Sequence, residues 1–518
     1  MMLAPHTCHR TPTRPLILFL FVFIALGVYH WNYLFTFPRW FVDEGLTASR
    51  VRALTVWGSP AGVIEREAGF GERNAASFVP ALPYLAFLVP FKVFPSLEMI
   101  ESLRVSSYVG GMLLLAAVGV IGWRYLSPIY GAIAMGICGS SMVFSYCSHV
   151  ARPDVLAAAV GFWGLAVYGA RPFTAFLSFF LATFSLAFHQ RGIILVIALI
   201  ALMLVDVVSR KFSRLSFLMA MAGGLIGVAG FYLFNIFLFS SLDAMWEMNR
   251  WVFSFTPPPV VGSHASDWSG ILSTLSFTSW FCYPSVGLSI LVSTVILSLA
   301  GVKRFSPRFS VMIVAGLVAG ALLMNGLVVV KLVMVSPLLD LAVTGCLAIA
   351  LSLYVGKSRW SVPALAISVW FITGITVGGV GSVVTSVSKC REEAPKTGAA
   401  LQSFIPSSAK VLAEESFWIY LQNNRYQSWK DLPSRMRQTG QSFSQAVKSS
   451  YSDYLIVDPG MIAHLHANMS DPFFRSLGVS PREFLMFLDS DASKVGEIST
   501  ACYGTLTLYA LNKSVLVS

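Results

Sequence analysis

The sequence predicts a multi-pass α-helical membrane protein of about eleven spans that ends in a small α/β domain. Three observations carry this. Hydrophobic residues make up 56% of the 518 and charged ones 12%, with a mean hydropathy of +0.70, whereas soluble domains are about one-quarter charged. Apolar runs of about 17 to 25 residues, the length that crosses a bilayer, recur along the chain. After Ser386 the composition turns polar and short β-type runs alternate with helical patterns.

The expected spans are 16–36, 104–123, 128–147, 154–170, 173–189, 192–208, 216–239, 284–302, 309–330, 333–355 and 361–384. Arg10 and Arg14 ahead of Leu16 to Tyr29 look like the start of a signal peptide, but no clean small-x-small cleavage site follows, so the first run reads as an uncleaved helix. Pro80 to Phe94 is apolar too. Pro80, Pro83, Pro90 and Lys92 interrupt it, so it is expected to lie along the membrane or dip into it.

Charge sets the orientation. With the amino terminus in the cytoplasm, Arg10, Arg14, Arg124, Arg171, Arg210, Lys211, Arg214, Lys303, Arg304, Arg308, Lys357 and Arg359 all fall inside, as the positive-inside rule requires. Residues 1–385 then form the membrane region, with large outer loops at 39–103 and 240–283, and 386–518 form an extracytoplasmic domain. In that domain Lys410 to Ala413, Tyr454 to Val457 and Leu506 to Leu511 read as strands, and Ser416 to Asn423 and Pro481 to Leu488 as helical.

The net charge of +11 orients loops in a chain like this and does not point to nucleic acid. Seven cysteines show no zinc-type spacing. Cys390 and Cys502 share the polar tail and form either one disulfide or two free thiols.

The polar groups of the outer face are the candidate site. Asp43 and Glu44 leave the first span together; the alternatives for them are a solvated loop entry or a helix N-cap at Asp43. The turn Ser148-His149-Val150-Ala151-Arg152-Pro153-Asp154 sets ionisable groups close to hydrocarbon, where they are costly and mark function by default. Asp154 after Pro153 also suits a helix start. His189, Gln190 and Arg191 form the next outer turn; Arg104, Arg191 and Lys331 together would make a cationic rim at headgroup depth, suited to a lipid phosphate. Trp246, Arg250, Trp251, His264, Asp267 and Trp268 form an aromatic-rich loop read mainly as an interfacial belt, with sugar stacking the lesser reading. Asp340, inside a span, has no evident partner.

The chain resembles the GT-C superfamily of polyprenyl-phosphate-sugar glycosyltransferases, in particular the bacterial relatives of protein O-mannosyltransferases and of the lipid A aminoarabinose transferase. The residues concerned are Phe41-Val42-Asp43-Glu44, Arg104-Val105-Ser106-Ser107, Ala151-Arg152-Pro153-Asp154 and Lys331-Leu332-Val333-Met334-Val335-Ser336-Pro337. The resemblance implies glycosyl transfer with inversion from a polyprenyl-phosphate donor to a lipid, glycan or protein acceptor at the extracytoplasmic face. It makes Asp43 the general base with Glu44 beside it, Asp154 a second acidic group of the catalytic set that orients acceptor or donor, and Arg104, Arg152, Arg191 and Lys331 candidates for the donor phosphate. His149, His189 and Trp268 are candidates for acceptor or sugar contacts. The family's Glu-Lys-Pro-Pro element is absent, Pro80-Ala81-Leu82-Pro83-Tyr84 being the nearest match, so the sequence supports no cofactor and gives no support to a divalent metal. Met334 and Asp340 stand where the family has tyrosine and proline. Competing readings are a transporter or flippase, which Asp340 favours, and an O-antigen polymerase or ligase. The first lacks the expected repeated halves, and the second usually gathers its polar groups in late loops.

Overall fold

In the computed structural model the described residues are 13–40, 42–58, 60, 80–239, 344–345, 361–429, 432, 436, 439–459, 461 and 481–512. Helix α1 (Thr13–Tyr33) is followed by α2 (Val42–Trp57), α3 (Leu82–Val93) and α4 (Met99–Tyr125). Then come α5 (Pro128–Ser140), α6 (Met142–His149), α7 (Asp154–Val167), α8 (Pro172–Phe184), α9 (Ile193–Val208), α10 (Arg214–Phe239) and α11 (Ser361–Thr385). The central rod is α4, against which α3, α5, α6 and α7 all pack. Its Gly and Ser positions are buried together with Leu114, Leu115 and Val118, so neighbouring helices approach closely. α8 and α10 are joined in the same way. A Cβ on Gly223 would lie 2.2 Å from the Phe176 carbonyl oxygen, and one on Gly227 2.8 Å from that of Phe180.

Among the described residues, four helices are long and apolar enough to cross a bilayer, or five if α5 and α6 make one span. The expected single helix over 128–147 is instead two, bent by 68°. Ser141 causes the break: its hydroxyl accepts from the Phe144 N–H at 3.3 Å and donates to the Cys138 carbonyl at 2.9 Å, replacing the regular ladder. The expected spans 154–170 and 173–189 are represented by the shorter α7 and α8. The Pro80–Phe94 stretch holds α3, 12 residues and about 18 Å long, too short to cross hydrocarbon of about 30 Å. Expected spans 284–302 and 309–330, the 240–283 loop, and all of 333–355 except residues 344–345 lie outside the described residues.

After α11 come α12 (Cys390–Phe404), β1 (Lys410–Ala413), a 3-10 turn (Glu415–Tyr420), β2 (Arg425–Ser428), α13 (Phe443–Lys448), β3 (Tyr454–Val457), α14 (Pro481–Asp491), β4 (Ala492–Thr500) and β5 (Gly504–Leu511). The sheet order is β2-β1-β3-β5-β4. β1 pairs in parallel with β2 and β3, and β5 runs antiparallel to β3 and β4. The predicted strands at 410–413, 454–457 and 506–511 are present; the 416–423 pattern becomes the 3-10 turn, and β2 and β4 are not among the strands the sequence predicts. Side chains alternate across the strands. Val411, Ala413, Ile456, Leu506 and Leu508 share a core with Trp40, α2 and α3, whereas Leu412, Leu455 and Val457 pack on α14. One sheet face is thus built onto the helical region. Cys390 and Cys502 form a disulfide.

Candidate active site

The polar residues singled out lie at one end of the bundle in two groups that adjoin through the backbone at 43–44 and 151–152: Glu44, Arg104 and His149 around the Phe37 carbonyl, and Asp43, Arg152, Asp154, His189 and Arg191 beside them. Lys331, Trp268 and Asp340 lie outside the described residues. Asp43 and Glu44 occupy the first turn of α2, where carboxylates complement the helix dipole.

Glu44 points inward. Both its oxygens receive the Arg104 guanidinium, Nε to Oε1 at 2.7 Å and Nη2 to Oε2 at 2.8 Å, and both side chains are fully buried. Oε1 also accepts the Ala151 N–H at 3.0 Å. Arg104 further donates to the carbonyls of Leu34 at 3.1 Å, Phe37 at 3.5 Å and Pro38 at 3.1 Å. A residue expected at the donor phosphate therefore ties the α1–α2 connection to α4. The reason is depth: α4 begins at Met99, more than a turn before Arg104.

Asp43 points outward, its side chain 38% exposed, against 3% for Asp154. Arg152 joins the two acids, with Nη1 at 2.5 Å from Asp43 Oδ2 and Nε at 3.1 Å from Asp154 Oδ2. Arg191 holds Asp154 Oδ1 at 2.9 Å. Two acids and two guanidinium groups balance in charge. Burial alone would lower the pKa of Arg152, but Asp43 and Asp154 reverse this and raise it, so the group stays charged. His189 caps the turn holding Arg191: its Nδ1 accepts the Arg191 N–H at 3.1 Å, which places the ring proton on Nε2, 3.7 Å from Asp154 Oδ1.

His149 is buried rather than presented. Its Nδ1 lies 3.1 Å from the Phe37 carbonyl and its Nε2 3.0 Å from Nδ1 of His30, whose Nε2 meets the Gly139 carbonyl at 2.8 Å. His30, mid-span in sequence, gave no signal of its own. Among the described residues no three His, Cys, Asp or Glu side chains come together as a metal site would need. The arrangement offers one accessible carboxylate, backed by two arginines that a second, enclosed carboxylate holds in place.

No protein-family model matches the sequence. No curated protein matches it either. Solved structures do. The apo crystal structure of ArnT from Cupriavidus metallidurans superposes with a TM-score of 0.51 at 12% identity, covering 94% of this chain and 97% of that one. The archaeal oligosaccharyltransferase AglB from Archaeoglobus fulgidus, in complex with an inhibitory peptide and a dolichol-phosphate, does so at 0.51 and 11% identity, covering 96% and 74%. The arabinofuranosyltransferase AftD from Mycobacteria does so at 0.50 and 14%, covering 96% of this chain and 40% of that one.

Proposed function

We propose that this chain, whose fold is that of the GT-C glycosyltransferases, moves a glycosyl group from a polyprenyl-phosphate donor to an acceptor hydroxyl, with inversion, and that Asp43 is the general base. The observation that carries this reading is the contrast among the three acids: Asp43 is solvent-accessible, Asp154 is enclosed by Arg152 and Arg191, and Glu44 is spent on Arg104.

An acceptor hydroxyl set against Asp43 gives up its proton to the carboxylate as its oxygen attacks the anomeric carbon. The bond to the phosphate oxygen breaks on the opposite face, and the polyprenyl phosphate leaves as an anion. Arg191, partly exposed, and Arg152 are the cations able to meet that charge. Asp154 bonds to both and holds them in place. The dolichol-phosphate bound to the archaeal neighbour supports the choice of donor class.

The site faces away from the cytoplasm. Arg124 lies at the other end of α4, bonded to the Ala166 and Tyr168 carbonyls, and Arg171, Arg210, Lys211 and Arg214 flank the same ends of α7 to α10. The Cys390–Cys502 disulfide suits an oxidising compartment.

Replacing Asp43 with Asn tests the base. Transfer from a radiolabelled polyprenyl-phosphate sugar in proteoliposomes is expected to fall by about 100-fold or more, with the thermal midpoint unchanged. Undiminished transfer by the folded variant would overturn the assignment.

A further inference from the structure

The helix that carries Asp43 is gripped from outside the membrane region. Two residues after Asp43, a Cβ on Gly45 would stand 1.9 Å from the Glu415 carbonyl oxygen and 2.5 Å from its carbon. α2 and the 3-10 turn Glu415–Tyr420 therefore touch backbone to backbone, at a point where only glycine fits. Before Asp43, Trp40 stacks on Tyr420 with ring centroids 6.1 Å apart and planes at 23°, both residues buried. At the far end of the contact Arg52 bonds to the Gln422 side chain.

The turn is itself backed. Tyr503 packs on Phe417 at 4.9 Å and on Tyr420 at 6.4 Å between ring centroids. Next to Tyr503, Cys502 is joined to Cys390 at the start of α12, and the Glu393 carboxylate accepts the N–H groups of Ala501 at 2.5 Å and Cys502 at 3.2 Å. The root of α12 is fixed to the bundle by the Ser388 N–H on the Thr36 carbonyl at 2.6 Å, and by Arg391 pairing with Glu101 at 2.5 Å over the Phe35 ring. A continuous line of contacts runs from the α1–α2 connection, through the disulfide and the tyrosines, back to the helix on which Asp43 sits.

We propose that the carboxyl-terminal sheet domain positions the base: its 3-10 turn fixes the height and rotation of α2, with Gly45, Trp40 and Tyr420 as positioning residues that touch no substrate. Helix geometry explains why this matters. One residue of slip advances α2 by about 1.5 Å and turns it by about 100°, enough to swing Asp43 away from an acceptor, and misplacement by about 1 Å costs on the order of 100-fold in rate. The kinetic half of this proposal rests on the glycosyltransferase reading above; the mechanical half does not.

The test uses the full-length protein in proteoliposomes and three variants: Gly45→Ala, Tyr420→Leu and Tyr420→Phe. Amide hydrogen exchange over 42–50 is expected to quicken by about tenfold or more in Gly45→Ala and Tyr420→Leu, while α4 and α9 keep their protection. In the same two variants kcat is expected to fall by about tenfold or more with donor KM within about twofold of the parent. Tyr420→Phe, which keeps the ring, restores both. Unchanged exchange over 42–50 in Tyr420→Leu would overturn the proposal even if Gly45→Ala does not fold. Faster exchange with kcat intact would overturn it too, since the contact would then be packing alone. If the parent protein transfers nothing from any polyprenyl-phosphate sugar, the glycosyltransferase reading fails, and the exchange comparison alone decides the clamp.

Discussion

Asp43 and Glu44 adjoin in sequence, yet one faces water and the other is sealed in. Which is which depends on residues far along the chain: Arg104 comes 60 positions after Glu44, and Ala151 comes 107 after it. The acidic pair was legible as a pair; which of the two acids is buried was not. Removing the carboxylate at Glu44 leaves the Arg104 guanidinium buried without a counter-charge, a defect that costs about 3–5 kcal/mol. Glu44→Gln is therefore expected to lose folded yield and thermal stability in detergent, in contrast to Asp43→Asn. Arg104→Lys is expected to share that loss, because an ammonium cannot fork onto two carboxylate oxygens. His149 shows the same limit on reading residues singly. Its place in a polar turn suggested an acceptor or sugar contact, and its ring is buried against His30 of the first helix.

Long apolar helices announced themselves, since hydropathy measures apolar length directly. Breaks and short elements did not. The bend between α5 and α6 turns on the Ser141 hydroxyl taking a backbone donor, which leaves no trace in hydropathy. β2 is four residues long and β4 is largely polar, so neither carries enough alternation to be seen. α3 shows how such short pieces are held. The Ala81 N–H at its entry finds the Asn235 side chain from α10 at 3.1 Å, and Asn235 in turn donates to the Phe231 carbonyl at 2.7 Å. Asn235→Ala strands that buried N–H, a loss of about 1–3 kcal/mol. Faster hydrogen exchange confined to α3 and the Pro80 region is the expected sign.

At the scale of the molecule, composition and loop charge gave the membrane setting and a common end for the polar residues, and the short acidic and basic motifs gave the likeness of architecture. What stayed hidden was that the sheet domain shares its core with α2, because apolar strand positions do not say which surface they will meet. Orientation is checked through the disulfide. In sealed cells an impermeant maleimide is expected to leave Cys390 and Cys502 unmodified until they are reduced, and then to label both; labelling only after membrane rupture would invert the topology. The length of α7 has a last consequence. Bonds from Arg124 to Ala166 and Tyr168 level the far ends of α4 and α7. From there α7 runs 14 residues, about 21 Å, against about 30 Å of hydrocarbon. The ionic cluster at its start accordingly stands about 21 Å from the Arg124 end, short of the full hydrocarbon thickness of about 30 Å. If the transfer proposed above takes place at this depth, a lipid-borne sugar would reach it sideways from the bilayer, whereas an acceptor from water would have to descend to it.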